Sequence, residues 1–139
     1  MSALAFLDTS ILLCTDDASA PKKRSRAISL VAEHRRQNTL VISLQVLQEY
    51  YAAAVRKLGV DPAIAHRKVE LLARARVVRF EQKDVISAIE LHRLSQISFW
   101  DAMIVHAARL AGVAVLYSEE LSHGSLLAGV QVVNPFLPA

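Results

Sequence analysis

The chain has 139 residues, 53% of them apolar, with 16 Lys/Arg against 13 Asp/Glu, a net charge of +3 and a single cysteine. This length fits one domain over residues 1–139, offers no run of the ~20 apolar residues a bilayer span needs, and starts with an apolar stretch too short for a secretory signal. Lone Cys14 excludes an internal disulfide and a cysteine metal cluster, and suits a reducing cytoplasm.

Residues 4–7 are a short apolar run halted by Asp8-Thr9-Ser10, which predicts a buried first strand followed by a capped helix over residues 11–14. Residues 15–20 are small and polar, a loop. Pro21 suits the first turn of a helix reaching about Arg36, with Ile28, Leu30, Val31 and Ala32 turned inward. That helix opens with Lys22-Lys23-Arg24-Ser25-Arg26, the main reason why residues 1–70 hold ten Lys/Arg against seven acids while the remainder balances at six against six. Such a run either steers a polyanion such as RNA or is a solvated face, and composition alone favours the solvated face.

Residues 39–42 form a second β-rich run, and Ser43 caps the helix after it. There Val46, Leu47, Tyr50, Tyr51, Ala54, Val55 and Leu58 recur at helical spacing until Gly59. Asp61-Pro62 signals another helix through about Ala73, and a third strand is expected at 77–80 with a helix over 83–94. Ser98 caps a strongly apolar helix ending at Ala111-Gly112. A fourth strand at 113–117, a loop over 118–124 and a fifth strand at 130–133 complete the pattern. Continuously apolar strands alternating with helices predict an α/β fold with a parallel sheet covered on both faces. Ligands in such sheets bind beyond the carboxyl ends of the strands.

That rule singles out acids. Asp8 directly follows the first strand, Glu49 lies early in the helix after the second, and Glu119 and Glu120 follow the fourth. Asp101 sits in the first turn of its helix. Each has an ordinary structural explanation. Asp8 is a helix cap, Ser98-Phe99-Trp100-Asp101 matches a capping box, and the three glutamates suit solvent. Together they point elsewhere. Carboxylates gathered ~5 Å apart repel by about 3 kcal/mol per pair at an effective dielectric near 20, so such a cluster requires protons or a cation. Oxygen donors without cysteine or paired histidine select Mg²⁺ or Mn²⁺, and the matching reaction is phosphodiester hydrolysis. The five histidines show no metal-binding spacing, and His106 reads as a helix-surface residue. No glycine-rich phosphate loop or nucleophile elbow is present.

These residues also carry a family resemblance. Leu7-Asp8-Thr9-Ser10-Ile11-Leu12 resembles the opening motif of PIN-domain nucleases, and the segment from Ile42 to Tyr51 resembles their second acidic motif. Ser98-Phe99-Trp100-Asp101-Ala102-Met103-Ile104 resembles the third. Ser118-Glu119-Glu120-Leu121, with Gly124 and Asn134-Pro135-Phe136, resembles the last. Within that family the chain looks most like the VapC-type toxins of bacterial toxin–antitoxin pairs. The resemblance implies a three-layer α/β/α sandwich around five parallel strands, dependence on Mg²⁺ or Mn²⁺, and endonucleolytic cutting of RNA. It also implies a homodimer and a cognate VapB-like antitoxin.

Carried over by position, Asp8, Glu49 and Asp101 match the metal-binding catalytic acids, and Thr9, Ser10 and Ser118 match supporting hydroxyls. Lys22, Lys23, Arg24 and Arg26 are candidates for holding RNA. At the fourth acidic position the family usually has Asp, whereas here Glu120 aligns, with Glu119 as its substitute. The extra methylene matters because Mg²⁺ demands ligand distances of ~2.0–2.1 Å. A catalytically weak PIN-like RNA-binding or scaffold protein is therefore the alternative. A haloacid-dehalogenase-like phosphatase fits less well, since Ser10 stands where its second Asp belongs.

Overall fold

The computed structural model describes residues 3–138. Its elements run β1 (Ala5–Leu7), α1 (Thr9–Cys14), α2 (Pro21–Arg36), β2 (Leu40–Ser43), α3 (Leu44–Arg56), α4 (Pro62–Leu72), β3 (Arg76–Val78), α5 (Gln82–Ser95), α6 (Phe99–Ala111), β4 (Val115–Tyr117), β5 (Leu126–Leu127) and β6 (Val130–Val133). The sheet order is β3-β2-β1-β4-β6-β5. The first five of these strands are all parallel, as expected, and the two-residue β5 adds an antiparallel edge to β6.

Phe6, Leu7, Val41, Ile42, Leu116 and Val132 are fully buried. Side chains from both faces of the central strands are thus covered, which explains why these strands show no apolar–polar alternation. Helix α1 packs on α2 and α3, and α3 packs on α4; α5 packs on α6, which lies across β2, β3 and β6. The three-layer arrangement puts the chain reversal at β1. From there the chain winds outward to β2 and β3, then returns to add β4 on the other side. The carboxyl ends of β1 and β4 form the switch point, where a crevice opens in sheets of this kind.

Two sequence expectations shift. In α2 the buried residues are Ala27 and Leu30, while Ile28 is 44% exposed and Ala32 faces solvent. The inner face follows the helical period through 27, 30, 31 and 34, so small Ala27 allows close packing where residue type favoured Ile28. His106 is not on the surface but only 4% exposed. Its Nδ1 accepts a hydrogen bond from Arg109 Nε at 3.2 Å, which leaves Nε2 to donate to Asp84 Oδ1 at 3.1 Å. Asp84 also completes a capping box with Glu81 at the start of α5. The backbone N–H of Glu81, helped by His106, holds the Asp84 carboxyl below the usual carboxylate range.

A polar buckle joins the first loop to α3 and α4. The hydroxyl of fully buried Tyr50 donates to Asp16 Oδ2 at 2.6 Å, and Lys68 Nζ lies 3.1 Å from both Asp16 oxygens. Burial and the Asp16 contact together keep the phenol protonated well above its ordinary range. Asp16→Ala leaves that hydroxyl without its acceptor and Lys68 without its charge partner, so a loss of about 2–3 kcal/mol is expected in urea unfolding. Tyr50→Phe removes the donor as well as the need for it, and costs about 1 kcal/mol. Equal losses for the two variants would contradict this reading of the buckle.

Candidate active site

The crevice at the switch point is a cleft of about 490 Å³ whose lining includes Asp8, Glu49, Asp101 and Glu120. Each acid arrives there for a local reason. Asp8 is the first residue beyond β1, with its N–H bonded to the Tyr117 carbonyl at 3.0 Å, so the parallel pairing of β1 and β4 fixes its position. Its Oδ1 caps α1 by accepting from Thr9 N–H at 2.7 Å, and its Oδ2 accepts from the Ser118 hydroxyl at 2.8 Å. Glu49 lies on the face of α3 that passes Gln45, Ala52, Ala53 and Arg56 along the cleft. Its carboxylate accepts from Thr9 Oγ1 at 2.7 Å and from Gln45 Nε2 at 3.3 Å. Asp101 stands in the first turn of α6, where Ser98 Oγ accepts from its backbone N–H at 3.0 Å. The backbone N–H of Glu120 donates to Ser118 Oγ at 3.2 Å, so one hydroxyl touches both the Asp8 and the Glu120 segments.

The neighbouring glutamate goes elsewhere. Glu119 does not line the cleft; its carboxylate pairs with Lys23, and its N–H donates to Ser10 Oγ at 3.3 Å. Thr9 and Ser10 line the cleft, and Ser118 lies fully buried behind it. Lys22, Lys23, Arg24 and Arg26 lie outside the cleft lining. Three of them are tied down within the chain: Lys23 to Glu119, Arg24 Nε to the Thr15 carbonyl at 3.3 Å, and Arg26 Nε to the Pro135 carbonyl at 3.4 Å.

Arg56, Lys57 and Trp100 also line the cleft, although no sequence motif assigns them a role there. Basic residues at a helix carboxyl end have a ready explanation in the helix dipole, which masks any other role. A signal was nonetheless present, since Gln45, Glu49, Ala52 and Arg56 recur at helical spacing on one stripe.

The carboxylates feel one another. Asp8 is only 4% exposed, and burial pushes its pKa up to about 7 against the hydrogen bonds from Ser118 and Thr9, with repulsion from Glu120 and Asp101 adding to the rise. Burial also raises Glu120, followed by repulsion from Asp101 and Glu49 and opposed by Lys57. Among the described residues, no three of His, Cys, Asp and Glu stand close enough together to grip an ion on their own. The donors in the cleft are nevertheless of one chemical kind, with no histidine or cysteine in its lining. All-oxygen donors suit Mg²⁺ or Mn²⁺, and Mg²⁺ is usually held by only one or two carboxylates together with water and substrate phosphates. The donor set fits such an ion.

Fold and cleft define a doubly wound α/β protein with acids gathered at the switch point of its sheet. Residues 5–121 match the PIN domain family, and the chain belongs to it. The structure is similar to that of a toxin–antitoxin complex from Klebsiella pneumoniae, at 19% identity over 95% of this chain and 98% of that one, with a TM-score of 0.68. It is likewise similar to VapC20 of Mycobacterium tuberculosis, a sarcin–ricin-loop-cleaving toxin, at 24% identity over 84% and 89% with a TM-score of 0.68. DNA-bound VapBC from Salmonella typhimurium matches at 21% identity over 94% and 97% with a TM-score of 0.66. No curated protein matches the sequence. Among the described residues no helix is long and apolar enough to cross a membrane.

Proposed function

We propose that this protein is a Mg²⁺-dependent endoribonuclease, with Mn²⁺ as a substitute ion, and the toxin of a VapBC-type pair. The observation that carries this reading is the convergence of Asp8, Glu49, Asp101 and Glu120, far apart in sequence, on one cleft at the sheet's switch point. Of Asp8, Glu49, Asp101 and Glu120, one or two would hold the ion directly and the others would reach it through bound water. When bound, it lowers the pKa of water and neutralises charge building on the scissile phosphate. The chain's own contribution is preorganisation. Ser118 and the Thr9 N–H fix the two Asp8 oxygens, while the Thr9 hydroxyl and Gln45 fix those of Glu49. Glu120 has one methylene more than the residue usual in the family, which suits contact through an intervening water, where tolerance is wider. Similarity to toxin–antitoxin complexes supports a cognate antitoxin, the family resemblance supports a homodimer, and the lone cysteine suits the cytoplasm.

The test is incubation of the purified protein with RNA, in Mg²⁺ and in EDTA. Expected is cutting that needs the ion and that Asp101→Asn lowers by about 100-fold or more, since even residues behind metal ligands are worth 10–100-fold. Full activity in Asp101→Asn would end the assignment. Intact RNA, together with no Mg²⁺ binding at millimolar concentration in calorimetry, would favour the RNA-binding or scaffold alternative. Inducing the protein with and without the product of its upstream gene, while following growth, tests the toxin reading.

A further inference from the structure

Trp100 is the sole tryptophan of the chain and is 61% exposed, although an indole is among the most costly side chains to leave in water. It lies in the cleft lining next to Asp101. Its ring is braced edge-on against Phe99, with centroids 5.2 Å apart, and its carbonyl accepts from Gln45 Nε2 at 3.3 Å. Gln45 is in the first turn of α3, and Arg56 ends that helix. At 1.5 Å rise per residue the two lie ~16 Å apart, with Glu49 between them. The cleft therefore has an aromatic end, an acidic middle and a basic end. Arg56 and Lys57 are both exposed, and among the described residues neither side chain has an ion-pair or hydrogen-bond partner. That contrasts with Lys23, Arg24 and Arg26, which are already engaged.

We propose that Trp100 stacks on an unpaired base of the RNA next to the carboxylates, and that Arg56 and Lys57 hold phosphates of the same strand at the far end of the cleft. This deepens the nuclease reading and rests on it. A flat, anchored indole offers a face on which any base stacks, whereas bases inside a duplex have both faces covered. Two cations with no internal partner are available to neutralise phosphates without first breaking an ion pair. Trp100, Arg56 and Lys57 thereby select a single strand laid along α3.

As the only tryptophan, Trp100 is its own probe. An oligouridine octamer is mixed with the protein in a stopped-flow cell, with Mg²⁺ and again with EDTA, so that indole fluorescence is read before cutting. Expected is saturable quenching by the single strand and little by a blunt duplex of the same length. In anisotropy with labelled octamer, Trp100→Ala binds about ten-fold more weakly and Trp100→Phe falls between it and the parent. Lys57→Gln and Arg56→Gln each reduce the slope of log affinity against log salt by about 0.7. Absence of quenching, equal quenching by duplex, or unchanged binding by Trp100→Ala overturns the proposal. Mg²⁺-dependent cutting without quenching removes this inference and spares the nuclease reading; quenching without cutting does the reverse.

Discussion

Asp8→Asn is expected to abolish RNA cutting while leaving the metal-free protein at least as stable as the parent above pH 7. Asparagine caps a helix as well as aspartate does, so the bond from the Thr9 N–H survives and α1 keeps its start. The amide nitrogen takes the place of Oδ2, so the bond donated by the Ser118 hydroxyl is lost, but the isosteric side chain fills the same buried space. What disappears is the negative charge, which burial and the neighbouring Glu120 and Asp101 disfavour. The same charge is what a divalent ion would seek. A ligand's loss exceeds the 10–100-fold typical of residues behind a metal, so activity should drop by about two orders of magnitude or more. Activity on purified RNA and melting temperature in EDTA at pH 8.5 are the two readouts. A variant that cuts normally removes Asp8 from the chemistry. One that unfolds in EDTA makes Asp8 a structural cap.

Asp8 and Glu120 were legible because they follow strand ends and Asp101 because it opens a helix, all local features of the sequence. Glu49, past the first turn of α3, was marked by its place in the helix after the second strand. Choosing between Glu119 and Glu120 needed tertiary information. Adjacent residues leaving a strand point in different directions, and Lys23, 96 residues away, draws Glu119 out of the cleft. The basic run is similar. Its composition announces a cationic surface, but Glu119, Thr15 and Pro135 occupy three of its four charges through contacts that no spacing rule reveals. His106 reads as a surface residue because its partner Asp84 lies 22 residues back on another helix, so nothing local marks that face of α6 as polar and buried. The strand order was foreseeable only as far as apolar continuity implies parallel pairing. The short β5 is too brief to leave a periodic signal, and the turn that folds residues 126–127 back on β6 has positive φ at both Ala128, +50°, and Gly129, +81°.

In EDTA the protein should be most stable in mild acid and should weaken as pH rises toward neutrality. Asp8 ionises near the ordinary aspartate value of 3.8 in the unfolded chain but at about 7 in the folded one. Between those limits the folded state binds more protons than the unfolded state, so stability declines with each step upward in pH and levels off above about 7. A shift of this size corresponds to about 4 kcal/mol. For a chain this long that is about 14 °C in melting temperature. Glu120, raised for the same reasons, acts in the same direction. Asp84 works oppositely: its carboxyl is held low, so its contribution is present above the ordinary carboxylate range and is lost only as pH falls through its folded value. The optimum of the metal-free protein thus lies between these two regimes. An ion held by the ionised form of Asp8 binds the folded state alone, and at a hundred times its dissociation constant adds about 2.7 kcal/mol. Mg²⁺ should therefore raise the melting temperature at pH 8 far more than at pH 5, and Asp8→Asn should erase most of that difference. Melting curves across pH 4–9, with EDTA and with Mg²⁺, decide the matter. A flat profile in EDTA would show that Asp8 ionises freely in the folded chain, and an equal Mg²⁺ effect at both pH values would place the ion away from this cleft.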